Sequence, residues 1–181
     1  MGVESRTLSP GGGPAVRYRA LEPRDWPLYR DLRLRALADA PDAFSRAYDA
    51  EAIQPDEYWM ERLRCDPSRD LPLVAESSAG PVGLAWGRID PSAPRSAGLY
   101  QVWVAPAHRS CGIGRRMVGE VIAWAKGVGA EVLWLYVTSG DTPAARLYGA
   151  AGFAPTGETR PLRTGSELTM RRMQLDLRGG S

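Results

Sequence analysis

Arg109-Ser110-Cys111-Gly112-Ile113-Gly114 sets a guanidinium and two glycines directly ahead of a run with helical periodicity. Such a segment suits an anion. Gly112 and Gly114 lack a Cβ, so a diphosphate could approach the backbone closely, and a helix start offers unpaired N–H groups at its positive dipole end. Arg115 and Arg116 add positive charge around the same point. Ile113, Met117, Val121, Ile122, Ala125 and Val128 follow at the spacing of one helical face. Residues 99–104, ahead of the loop, read as a strand that Pro106 ends. A glycine pair before a helix also serves as a plain tight connection, so these residues alone leave both readings open. No G-x-x-x-x-G-K-[ST] run is present, and no G-x-G-x-x-G with a following acidic residue. That argues against nucleotide triphosphatase and dinucleotide-binding chemistry.

A second constellation lies downstream. Residues 132–137, VLWLYV, form an almost unbroken apolar run, which predicts a strand covered on both faces. Past a short loop, Asp141 is the expected N-cap of a short Ala-rich helix with Pro143 in its first turn. That helix carries Ala144 and Tyr148 and ends before Gly152, and Phe153 opens another strand.

Together the two motifs, V-x-P-x-x-R-x-x-G-x-G at residues 104–114 and A-x-x-L-Y-x-x-x-G-F at residues 144–153, resemble the GNAT superfamily of N-acetyltransferases. The likeness runs over residues 17–177. It implies an α/β fold: a mixed, mostly antiparallel twisted sheet with helices on both faces and splayed central strands. It also implies acetyl-coenzyme A as cosubstrate. By resemblance, Arg109, Ser110, Cys111, Gly112, Ile113, Gly114 and Arg115 hold the diphosphate. Val102, Trp103 and Val104 would orient the thioester arm in the gap between strands, with Asp141 and Ala144 beside it. Many relatives carry Asn at the position of Asp141, so the amide donor is missing here. Tyr148 takes the role of general acid toward the leaving thiolate.

Composition fits one such domain over residues 15–177. Of 181 residues, 44% are hydrophobic and 24% charged, ordinary for a globular protein. A net charge of +2 gives no argument for a nucleic-acid partner. Lys126 is the only lysine among 23 basic residues, a bias that fits a GC-rich genome. His108 is the only histidine and Cys65 and Cys111 the only cysteines, which excludes a histidine-based metal cluster; no metal is expected. No apolar run resembles a signal peptide or is long enough to span a bilayer, so the expectation is a cytoplasmic protein without a membrane partner. Residues 1–14, rich in Gly, Ser and Pro, predict a disordered tail, and residues 178–181 a short one.

The remaining elements are coarser. Residues 17–20 read as an opening strand and 23–40 as a helix with Trp26, Tyr29, Leu32, Ala36 and Leu37 on its apolar face. Residues 43–53 are less regular, and 55–65 predict another helix. A hairpin is expected from 71–76 and 82–89 with Gly80 at its turn, then a loop over 90–94, and a closing strand over 167–177.

Acetyl transfer needs a neutral amine, a polarised carbonyl and a protonated leaving group. The general base is not assigned. Tyr136 occupies the strand position where several relatives carry Glu, and a phenol is a poor base at neutral pH. Glu76, Tyr100 and Gln101 are alternatives through water, as is no dedicated base. Phe44, Tyr48, Trp86 and Arg88, with Trp59 and Trp103, are the candidate acceptor-pocket walls. Asp49, Glu51, Asp56 and Glu57 form either a lure for a cationic amine or a solvated face. The leading expectation is acetylation of a small-molecule amine by direct attack in a ternary complex; a homodimer is left open. The alternatives are acetylation of a protein N-terminus or lysine, which needs an open groove, and a non-catalytic acyl-coenzyme A sensor.

Overall fold

Alternating and continuous apolar stretches from residue 70 onward favour a sheet. In the computed structural model, which describes residues 15–179, seven strands join into one. They are β1 (Arg17–Ala20), β2 (Asp70–Ser77), β3 (Gly80–Asp90), β4 (Ala93–Val104), β5 (Val132–Thr138), β6 (Ala154–Pro161) and β7 (Thr169–Asp176). Their spatial order is β1-β2-β3-β4-β5-β7-β6. Only β4 and β5 pair in parallel; the other neighbours are antiparallel. The helices are α1 (Trp26–Asp39), α2 (Tyr48–Ala52), α3 (Asp56–Arg62), α4 (Ile113–Gly127) and α5 (Pro143–Ala150). The tail expected over residues 1–14 lies outside the described residues, as do residues 180 and 181. Arg178 turns back to bond Asp176 at 2.7 Å.

Strand β3 separates two helical layers. A Cβ at Gly87 would stand 2.7 Å from the Trp124 ring, and one at Gly83 2.8 Å from Met117 Sδ, so α4 lies directly on the strand backbone. Trp86 points to the opposite face. There it packs against Tyr29 of α1 with ring centroids 5.4 Å apart, and Tyr29 meets Trp59 of α3 edge-on at 5.7 Å. Leu32, Leu37 and Met117 are fully enclosed in these layers, each contributing about 1.5–3 kcal/mol by burial.

Several local expectations change. Strand β5 is covered on one face only: Leu133, Leu135 and Val137 are buried, while Trp134 and Tyr136 are half-buried. Trp134 instead sits edge-on between Tyr100 at 5.5 Å and Tyr136 at 5.9 Å, so large aromatics tolerate a half-open face that an apolar run does not announce. The loop expected over 90–94 is a tight hairpin, because the Asp90 carboxylate accepts from the Ser92 N–H at 2.9 Å and hydroxyl at 2.7 Å. The helix expected from residue 23 opens with a 3₁₀ turn, Pro23–Asp25, and α2 forms inside the segment read as irregular. Thr142, not Asp141, caps α5: its hydroxyl accepts from the Ala145 N–H at 3.1 Å, while Asp141 binds Arg146 at 2.7 Å.

Two features part the sheet at its centre. Strands β4 and β5 pair only where Ser96, Ala97 and Gly98 face Val132, Leu133 and Trp134. Beyond that point a bulge bends β4. Leu84 faces Trp103 and Trp86 faces Tyr100, so Gln101 and Val102 together oppose the single residue between them on β3. Gln101 has φ +57°, and its side-chain oxygen accepts from the Tyr29 hydroxyl at 3.1 Å. A positive φ at a glutamine is strained, and this bond holds it.

The connection from α1 to α2 is tied by a buried ion pair. Arg33, 4% exposed, donates from Nε and Nη2 to the two oxygens of Glu51, 0% exposed, at 3.0 and 3.2 Å. Glu51→Ala would leave the guanidinium buried without a counter-ion. It should cost about 3–5 kcal/mol in urea unfolding, and replacing both residues by Met should recover most of that. A loss below about 1 kcal/mol, the size of an exposed pair, would show that this bridge is not what fixes the connection.

Candidate functional site

Where β4 and β5 part, a cleft of about 1240 Å³ opens. That exceeds the usual range for one small ligand and suits two substrates together. One wall is the β4 edge, with Val102, Trp103 and Val104; the other carries Tyr136, Val137 and Thr138 of β5 and Thr142, Ala144 and Tyr148 at and in α5.

At one end the loop ahead of α4 has the features of an anion site. Arg116 N–H makes the first helical bond, to the Gly112 carbonyl at 3.0 Å. The N–H groups of Ile113, Gly114 and Arg115 therefore have no helical acceptor and stand at the positive dipole end. Gly112 adopts φ +80°, which a side chain would strain. A Cβ at Gly114 would meet only Leu147 at 3.4 Å and Val104 at 3.7 Å, ordinary contacts. The protein's own packing therefore does not demand glycine at residue 114, and the bare backbone there fits a diphosphate group. Ser110, also left-handed at φ +63°, and Arg115 line the same end. Arg109 is positioned differently from a freely reaching cation. Its Nε donates to the Val104 carbonyl at 2.9 Å and its guanidinium pairs with Asp39, which latches the loop to β4 and α1. The Trp103 indole N–H at 2.8 Å, with Arg109, holds the Asp39 carboxyl below the usual range.

Tyr148 lines the cleft, 7% exposed and edge-on to Phe153 at 6.0 Å. Burial pushes its hydroxyl well above the ordinary phenol range, so it stays protonated at all physiological pH values. It can donate a proton and cannot serve as a base.

The other end is rich in arginine. Arg33, Arg46, Arg62, Arg88 and Arg160 line it, with Phe44, Trp86, Tyr100, Glu51 and Met170. Burial pushes Tyr100 up to about 12. Burial, then the bond to Glu158, also raises Tyr136, whose hydroxyl donates to that carboxylate while Arg160 stacks 3.6 Å over its ring. Neither phenol is a base near neutrality. Glu76 binds Arg19 at 3.0 Å on the β1–β2 side and does not line the cleft. Above this end, residues 41–43 reach across from α1: Thr138 Oγ1 donates to the Asp42 carbonyl at 2.7 Å and Arg163 to the Pro41 carbonyl at 2.6 Å.

The cleft thus gathers Val102, Trp103, Val104, Arg109, Ser110, Gly112, Gly114, Arg115, Ala144, Tyr148, Phe44, Trp86 and Arg88. Other expected residues fall elsewhere. Tyr48 is 43% exposed on α2, outside the wall, and Trp59 is wholly buried between helices. Cys111 is exposed and Ile113 is core; neither side chain lines the cleft, nor does Asp141. Arg116 is turned to Glu120 at 2.7 Å, and of the acidic cluster Glu51 is taken by Arg33 and Asp56 by Arg30 at 2.8 Å, while Asp49 and Glu57 are exposed. The sequence reading missed Arg62, Thr142 and Arg160, and named Gln101 only as a water-linked alternative base. Tyr58 and Arg62 stand four apart on α3, a spacing that joins side chains on one helical face. Their partner Tyr29 is remote in sequence.

Comparison with known proteins agrees with this geometry. The model of the acetyltransferase (GNAT) family matches residues 31–153, and the chain belongs to that family. Mycothiol acetyltransferase of Thermobispora bispora is 32% identical over 143 residues, covering 76% of this chain and 46% of that protein. The chain therefore spans about half the length of this curated relative. Among solved structures, a GNAT-family acetyltransferase from Streptococcus pneumoniae superposes with a TM-score of 0.76 at 21% identity, covering 89% of this chain and 98% of that one. The structure of yncA from Salmonella typhimurium, solved with its cofactor acetyl-CoA, gives 0.72 at 21% identity over 92% and 96%. Among the described residues no group of three or more His, Cys, Asp or Glu could hold a metal, and no helix is long and apolar enough to cross a membrane.

Gly114→Ala separates packing from binding. Removing a helical glycine should leave stability unchanged or raise it by about 0.5–1 kcal/mol. The same methyl should weaken acetyl-coenzyme A binding at least about tenfold, or 1.4 kcal/mol, by calorimetry. Unchanged affinity would mean that no ligand approaches this backbone.

Proposed function

We propose that the chain transfers the acetyl group of acetyl-coenzyme A to the amine of a small molecule, both substrates being bound at once. The observation that carries the small-acceptor reading is the bridge of residues 41–43 across the acceptor end, bonded to Thr138 and Arg163. A protein N-terminus or lysine side chain calls for an open groove, and this tied-down bridge narrows that end of the cleft. The name of the Thermobispora relative, mycothiol acetyltransferase, refers to a small molecule and supports the same class.

The chemistry follows from the cleft. The neutral amine nitrogen attacks the thioester carbonyl carbon, a C–N bond forms, and the carbonyl oxygen takes on negative charge. Backbone N–H groups on the parted β4 edge are the available oxyanion donors. Collapse breaks the C–S bond, and the departing thiolate takes the Tyr148 proton. The proton on the former amine is lost to water, from which Tyr148 is reprotonated. Of the carboxylates that line the cleft, Asp39 and Glu51 are held by Arg109 and Arg33 and Asp42 lies in the bridge, so the amine is taken to arrive neutral.

Tyr148→Phe should leave coenzyme binding nearly intact and lower turnover by about 10²- to 10⁴-fold, the usual worth of general acid–base catalysis. Coenzyme A release and calorimetry together read this, and full turnover would return Tyr148 to packing. Tyr136→Phe should keep most activity, because its phenol remains protonated. The rate should then rise with pH along the acceptor's own amine titration and shift down with acceptors of lower pKa. A profile indifferent to the acceptor, with an inactive Tyr136→Phe, would make this phenol the proton carrier.

A further inference from the structure

Trp86 is flanked by two guanidinium groups. Arg62 Cζ lies 5.8 Å and Arg88 Cζ 5.5 Å from its ring centroid, and all three residues line the acceptor end of the cleft. Arg88 is neutralised by Asp70, which also accepts from the Trp86 indole N–H at 2.8 Å. Arg62 is not neutralised. Its Nε donates to the Tyr29 hydroxyl at 3.1 Å and its Nη1 to the Tyr58 hydroxyl at 2.9 Å. No carboxylate pairs with it among the described residues, and Nη2 makes no hydrogen bond there.

Of the neighbouring acids, Glu51 and Asp39 are held by Arg33 and Arg109, although the Glu51 charge also reaches Arg62; Asp42, 3.9 Å from Arg163, is largely exposed. A half-buried guanidinium held by two neutral phenols, beside a second cation on the same ring, keeps an unmet demand for negative charge. The two tyrosines also fix its plane, so its unused N–H groups are preorganised for a planar two-oxygen acceptor.

Resting on the acetyl-transfer reading above, we infer that the acceptor is an amine that also carries a carboxylate, and that Arg62 binds that carboxylate while Trp86 packs against the acceptor's body. An amino acid or similar amino-carboxylate has this chemistry. A polycationic amine does not, because it would meet Arg62 and Arg160, neither paired with a carboxylate among the described residues, with like charge.

The test is a matched panel of amines, each presented as the free acid, the carboxamide and the decarboxylated amine, with coenzyme A release followed for each. In the unmodified protein the acid should exceed both neutral partners in kcat/KM by about ten- to a hundredfold, the worth of a charge-assisted hydrogen bond. Arg62→Met should collapse that ratio toward one. Arg62→Lys, which keeps the charge and loses the fork, should retain part of it, and so separates lost recognition from a folding defect. Equal kcat/KM for acid and carboxamide, or a preference that persists in Arg62→Met, overturns the carboxylate site while leaving acetyl transfer standing. Release from no amine of any series overturns both.

Discussion

The parting of β4 from β5 is the constraint on which everything else here depends. Two parallel strands that stayed paired along their length would close the sheet and leave no room for a ligand. They are paired at only three positions, and the bulge at Gln101 and Val102 turns β4 away from its neighbour. This costs backbone strain at Gln101, which the Tyr29 hydroxyl helps to hold. Tyr29 is itself buried against Trp59 and Trp86, so the packing of α1 on the sheet and the shape of the cleft are one arrangement. The same tyrosine also accepts from Arg62. Through it, the strain in β4 and the charge at the acceptor end share a support.

The cleft has opposite requirements at its two ends, met by different means. At the α4 end, the features that suit an anion lie in the backbone: N–H groups left over by helix geometry, a left-handed Gly112, and an unobstructed Gly114. Arg109 contributes by latching the loop to Val104 and Asp39 more than by reaching outward. At the acceptor end the charge is carried by side chains and set by which arginines are already neutralised. Between them Tyr148 is shielded enough to stay protonated, as the proposed general-acid role requires.

The legible parts of the sequence were those whose physics is local. A glycine-bearing turn before an amphipathic helix, and a short helix carrying Leu147 and Tyr148, can be read from neighbours in the chain. The mixed, mostly antiparallel sheet with parted central strands and the covering of both faces followed once those motifs were set in their family. The α5 cap was misassigned because Asp141 and Thr142 are both competent, and only the turn geometry decides between them. Strand β5 was misjudged for a different reason: Trp134 and Tyr136 count as apolar, yet their rings can pack edge-on and face solvent at once. The acceptor site was least legible. Arg62 gains its meaning from Tyr29 and Trp86, whose nearness exists only in the folded sheet, and Tyr48 and Trp59 look as suitable as Phe44 until burial separates them.

Amide hydrogen exchange with and without acetyl-coenzyme A tests the central claim most directly, because it reads the backbone that the parted strands leave open. The account predicts slowed exchange at residues 102–104 on the β4 edge and at residues 112–115 ahead of α4, with little change along β1 and β2. Binding that leaves both segments exchanging as before, or that protects the outer strands instead, would contradict it.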